Sequence, residues 1–106
     1  MLIALDYDGT YTADPDLWLM FITSARSRGH KVWVVTMRDE FELADVNRQL
    51  LGKVDRIVAT SRKAKLPFLA ARGINPQIWI DDMPHFIVGD AAGAGLRDTG
   101  VLTFPE

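Results

Sequence analysis

Two carboxylates two residues apart dominate the start of the chain. Asp6 and Asp8 lie in Asp6-Tyr7-Asp8-Gly9-Thr10, directly after the apolar run Leu2-Ile3-Ala4-Leu5. At that spacing, where a strand enters a glycine-containing turn, the two side chains can point the same way and concentrate negative charge. Left alone they repel, and one of them holds its proton more tightly. A hard divalent cation such as Mg²⁺ relieves the repulsion, because it takes oxygen ligands and bridges readily to phosphate. A second acidic pair, Asp81-Asp82, follows another apolar run, Ile78-Trp79-Ile80. Hydroxyl residues close two more: Thr36 after Val32-Trp33-Val34-Val35, and Thr60-Ser61 after Ile57-Val58-Ala59. The plain alternative at each place is a solvated turn or a strand end.

The four apolar runs are the elements that must position these groups. Each is short and continuous rather than alternating, as expected of strands buried on both faces. Helical patterns separate them. Asp14-Pro15-Asp16 reads as an N-cap, a proline at the first helical position and an acid near the positive helix end. Leu17, Met20, Phe21, Ser24, Ala25 and Arg28 follow at helical spacing, and Gly29 stops the helix. A second helix is expected over residues 40–51, with Leu43, Val46 and Leu50 inward and Gly52 closing it. A third runs to Ala71-Arg72-Gly73. Residues after Asp82, including the apolar run 101–104, carry no clear assignment. Alternation of strand and helix with short connections predicts an α/β chain: a three-layer α/β/α, Rossmann-like fold with a mainly parallel sheet. Ligands in such sheets bind at the carboxyl ends of the strands, so Asp6, Thr36, Thr60-Ser61 and Asp81-Asp82 converge on one edge.

Composition narrows the chemistry further. At 106 residues the chain suits one domain, 1–106, with one core. Twelve Lys and Arg against fourteen Asp and Glu give a net charge of −2, so no bulk basicity advertises nucleic acid. The absence of cysteine excludes disulfides, thiol nucleophiles, zinc–thiolate sites and iron–sulfur clusters. His30 and His85 offer no metal spacing, and His85, after a proline, reads as a surface residue. The glycine-rich stretch 89–95 lacks the dinucleotide pattern and reads as a loop. The three tryptophans fit half-buried anchors. With no long apolar segment and no basic leader, a soluble cytoplasmic domain without membrane contact is the expectation.

Asp6-Tyr7-Asp8-Gly9-Thr10 resembles the first motif of the haloacid dehalogenase (HAD) superfamily, Asp-x-Asp-Gly-Thr after an apolar strand. The resemblance implies that Asp6 is the nucleophile that accepts a phosphoryl group. Asp8 would be the general acid/base and would lend Mg²⁺ a backbone carbonyl. Thr36 resembles the second motif, a hydroxyl that donates to a phosphate oxygen, with Arg38 nearby as a further phosphate contact. The third motif is a lysine at a helix start, with Lys63 and Lys65 as candidates. Pro67 is best tolerated in a first helical turn, which puts the start near Ala64 or Lys65 and favours Lys65. A cation there opposes the helix dipole, a local cost accepted at functional sites. Asp81-Asp82 resembles the fourth motif, which completes the Mg²⁺ shell. A rival form lies in Phe86-Ile87-Val88-Gly89-Asp90, where Asp90 would take that role. The resemblance covers nearly the whole chain and implies a Mg²⁺-dependent phosphatase.

The intervals from Asp8 to Thr36 and from Thr36 to Lys65 are each filled by one helix and one strand. Neither has room for a cap domain. A capless site is open, which suits a nucleic-acid end, a nucleotide or another accessible phosphate, unless a second subunit of a homo-oligomer covers it. The competing readings are a receiver-like phospho-acceptor and a non-catalytic HAD-like binding or assembly module.

Overall fold

The computed structural model describes residues 1–94, and the apolar run 101–104 lies outside the described residues. Among the described residues four strands, β1 (Leu2–Leu5), β2 (Lys31–Thr36), β3 (Arg56–Ala59) and β4 (Ile78–Ile80), form one sheet in the order β3-β2-β1-β4. Every pairing is parallel; Ala4, for example, lies opposite Trp33 of β2 and Trp79 of β4. The helices are α1 (Pro15–Ser27), α2 (Ala44–Leu50), α3 (Lys65–Ala70) and α4 (His85–Val88).

The continuous apolar strands have a direct explanation in the layering. On one face, Ile3, Leu5, Val32 and Val34 pack with Ile22 and Ala25 of α1 and Val46 and Leu50 of α2. On the other, Ala4 and Val35 pack with Leu69 of α3, flanked by Trp33, Val58, Phe68 and Trp79. Successive strand residues therefore point into different cores, and none of the central positions can be polar. The three-layer, mainly parallel α/β fold is as expected, and no cap interrupts it among the described residues. All three tryptophans are partly buried.

Two local expectations need correction. The spacing of Leu17 and Met20 does not mark the buried face of α1, since both are at least half exposed. The inward stripe runs one position later, through Trp18, Phe21, Ile22 and Ala25. Ahead of the helix, a 3-10 turn over Tyr11–Ala13 places Tyr11 in the core. The helix expected over 40–51 is split into a 3-10 turn, Glu40–Glu42, and α2. The Glu42 carbonyl accepts a hydrogen bond from Arg38 Nη1 at 2.8 Å, which supplies it with a side-chain partner before α2 begins. Leu43, Val46 and Leu50 still face inward.

Chain order fixes where the open edge lies. From β1 the chain steps outward through β2 to β3, then returns to the far side of β1 for β4. The connections diverge between β1 and β4, the topological switch point of the sheet. Asp6 follows β1 and Asp81 follows β4.

Candidate active site

Pairing of β1 with β4 continues one residue past the strands, because the Asp6 N–H donates to the Ile80 carbonyl at 2.9 Å. That aligns Asp6 beside Asp81. The chain then turns back on itself: the N–H groups of Tyr11 and Thr12 donate to the carbonyls of Asp6 and Tyr7. Gly9 takes φ +84° in this turn, and a Cβ built on it would lie 2.5 Å from Asp82 Oδ2. Only glycine allows both that backbone and that approach.

The turn returns the Thr10 hydroxyl to the carboxylates. It lies 3.1 Å from Asp6 Oδ2 and 3.2 Å from Asp82 Oδ1, and it accepts the Asp82 N–H at 3.1 Å. With one proton it donates to one carboxylate at a time. From the first residue of α3, Lys65 Nζ donates to Asp6 Oδ1 at 2.7 Å and to Asp81 Oδ2 at 2.6 Å. Asp81 Oδ1 accepts the Met83 N–H at 2.9 Å. Asp6, Asp81 and Asp82 each offer an oxygen within 4.8 Å of the others.

One ammonium against three carboxylates leaves excess negative charge. Lys65 is 3% exposed and Asp6 8%. Burial pushes the Asp6 carboxyl up from 3.8 to about 6; Lys65 pulls it back, and Asp81 and Asp82 raise it further. A hard cation fits this set on two counts: the donors are all carboxylate oxygens, and added positive charge relieves the repulsion.

Asp8 lies across the same cavity but in a different partnership. Arg38 Nε and Nη2 donate to its two carboxylate oxygens at 2.8 and 2.7 Å, a bidentate pair. Arg38 Nη1 reaches Asp45 Oδ1 at 2.6 Å as well as Glu42, and the guanidinium stands 5.2 Å from the Tyr7 ring centre. These bonds drive the Arg38 pKa further above its already high value. Thr36, 1% exposed, closes β2, and its Oγ1 accepts the Arg38 N–H at 3.3 Å.

Asp6, Asp8, Thr36, Arg38, Lys65, Asp81 and Asp82 thus line one cavity of about 290 Å³. Asp8 does not join the three-carboxylate group. Lys63 and Asp90 lie elsewhere, in a separate depression beside Pro67. The segment carrying Asp90 begins as helix α4 rather than a strand, and Asp90 Oδ1 accepts the Ala64 N–H at 2.6 Å, ahead of α3. Two residues escaped the sequence reading. Thr10 ties Asp6 to Asp82, and Arg62 joins the cavity wall. Thr10 carried a signal, its place in the first motif; Arg62 carried none beyond being basic in a loop.

No family model, curated protein or solved structure matches the chain.

Proposed function

We propose that the chain is a Mg²⁺-dependent phosphohydrolase of the HAD type, cytoplasmic, which cleaves phosphomonoesters through a phospho-Asp6 intermediate. One observation carries this reading: a buried, lysine-held carboxylate, Asp6, shares a cavity with three further aspartates, a buried threonine and two arginines.

In the proposed reaction an Asp6 carboxylate oxygen bonds to phosphorus as the bond to the leaving oxygen breaks. The leaving oxygen takes a proton from the Asp8 carboxyl. Water then attacks phospho-Asp6 and gives a proton to Asp8; the Asp6–phosphorus bond breaks, freeing phosphate and restoring both carboxyls. Asp8 must exchange Arg38 for a proton before the first step. Lys65 holds Asp6 in place, while Thr36 and Arg38 are the candidate donors to the phosphoryl oxygens. The side chains of Asp6, Asp81 and Asp82 would hold Mg²⁺, with the Asp8 backbone carbonyl that the resemblance implies. When bound, Mg²⁺ neutralises charge on the transferring group.

The test is phosphate release from an aryl phosphate, with Mg²⁺ and with chelator. Multiple turnovers that need Mg²⁺ and vanish in Asp6→Asn support the reading, whereas turnover that survives Asp6→Asn refutes it. The bidentate Arg38–Asp8 pair favours a second reading, a receiver-like phospho-acceptor without an available acid. Stable labelling by a small phosphodonor at one equivalent, without turnover, would select it.

A further inference from the structure

Among the described residues three cations line the cavity, and they differ in how far their donors are committed. Lys65 is taken by Asp6 and Asp81. Arg38 uses Nε, Nη1 and Nη2 on Asp8, Asp45 and the Glu42 carbonyl. Arg62 uses Nη1 alone among the described residues, on Asp39 Oδ2 at 2.9 Å and Glu42 Oε1 at 3.3 Å. Its Nε and Nη2 remain available, on a side chain 37% exposed.

The backbone under Arg62 is unusual. Ser61 and Arg62 are consecutive, neither is glycine, and their φ angles are +53° and +68°. Side chains in this left-handed region cost backbone energy, and the surroundings must hold them there. Three hydrogen bonds do so: Ser61 N–H to the Arg38 carbonyl, Arg62 N–H to the Met37 carbonyl, and Ala91 N–H to the Arg62 carbonyl. Arg62 is therefore strapped beside Met37 and Ala91, while Lys65 serves the carboxylates. Much of the remaining wall is apolar, through Met37, Met83, Phe86 and Ala91.

We propose that Arg62 is a specificity-determining residue that receives a second anionic group, carried on the leaving portion of the substrate. The substrate class is then a phosphomonoester whose alcohol bears a further phosphate or a carboxylate. The scissile phosphate faces Asp6, the organic body lies along the apolar wall, and the second anion takes the uncommitted guanidinium donors of Arg62. Asp39 and Glu42 fix the guanidinium from behind, so little side-chain freedom is lost on binding. This inference rests on the phosphohydrolase reading above.

The experiment compares matched substrates. Glycerol phosphate and phosphoglycerate differ by a carboxylate; a nucleoside monophosphate and its bisphosphate differ by a phosphate. Wild type should prefer the doubly anionic member of at least one pair, and the pair concerned identifies the anion. In Arg62→Gly, which removes the guanidinium and suits the left-handed backbone, kcat/KM should fall at least about tenfold more for the preferred member than for its partner. Arg62→Lys should restore part of the difference. Equal rates within both wild-type pairs, or equal losses in Arg62→Gly, would overturn the assignment. Should wild type hydrolyse none of the four, turnover of the aryl phosphate decides the phosphohydrolase reading, while Arg62 is still tested by calorimetry. Binding of phosphoglycerate or the bisphosphate that weakens more than that of inorganic phosphate in Arg62→Gly supports the assignment. Equal weakening, or no binding to wild type, overturns it.

Discussion

Replacing Asp6 by Asn should make the metal-free protein more stable, although it deletes an ion-pair partner of a buried lysine. The Asp6 carboxyl titrates near 6 in the folded chain against 3.8 ordinarily, with burial the largest cause. Between those values the folded protein binds more protons than the unfolded one, so stability falls as pH rises through the interval. The full difference corresponds to about 3 kcal/mol, lost once the pH is well above 6. Asn mimics the protonated acid. Its oxygen can still accept from Lys65, and its amide can donate to the Thr10 hydroxyl, which turns its own proton to Asp82. Lys65 keeps Asp81 at 2.6 Å. In chelator at pH 8, urea denaturation should therefore place Asp6→Asn above wild type by up to about 3 kcal/mol, a Tm shift on the order of 10 °C.

The pH dependence isolates the cause. Near pH 4 wild-type Asp6 is largely protonated when folded, and most of the gap should close. Carboxylates remote from Asp6 titrate alike in both proteins and cancel in the difference. Added Mg²⁺ should reverse the order at pH 8, because it stabilises wild type by mass action and Asp6→Asn weakly or not at all. An Asp6→Asn protein that is less stable than wild type in chelator at pH 8 would show that the attraction of Lys65 outweighs burial. A gap that does not change between pH 4 and pH 8 would refute proton linkage at Asp6.

Lys65→Met strands Asp6 and Asp81 without their ammonium and should cost about 3–5 kcal/mol at pH 8, less at pH 5, by urea denaturation. Gly9→Ala combines a positive φ with a Cβ only 2.5 Å from Asp82 Oδ2. It should cost about 1–2 kcal/mol or more and weaken Mg²⁺ binding, read as a smaller Mg²⁺-induced Tm rise. Asp82→Asn should reduce that Mg²⁺-induced rise, whereas Asp90→Asn, which retains the oxygen facing the Ala64 N–H, should leave it at the wild-type value.

What could be read from the sequence was what depends on local pattern. Unbroken apolar runs such as Val32-Trp33-Val34-Val35 imply burial on two faces, and the two cores flanking β2 bear this out. Pro67 put the start of α3 near Ala64 or Lys65, because a missing N–H is harmless only in the first turn, and the helix begins at Lys65. What failed depended on side-chain partners and backbone conformations that apolar pattern does not encode. The break before α2 comes where Arg38, only four residues back, donates to the Glu42 carbonyl, a side-chain contact that the apolar periodicity does not register. The pairing of Asp8 with Arg38 spans thirty residues and depends on a rotamer choice across the cavity. The left-handed backbone at Ser61 and Arg62 was hidden for a related reason: glycine usually announces that conformation, and here neither residue is glycine.

The unfavourable features of this molecule are not scattered. A buried carboxyl with a raised pKa, a lysine 3% exposed and the left-handed Arg62 line one cavity, and the crowded turn at Gly9 and the left-handed Ser61 directly adjoin its lining residues. Each alone has a bland explanation. Together they place several destabilising devices at the carboxyl ends of the strands, on the side of the sheet that its topology leaves open. Natural sequences break local rules chiefly where function demands it, so the concentration argues for a site independently of any motif. It also predicts how the site differs from the rest of the fold. Substitutions that relax it, such as Asp6→Asn, should gain stability as they lose ligand binding, whereas truncations at Val34 or Leu50 in the ordinary core should only lose stability.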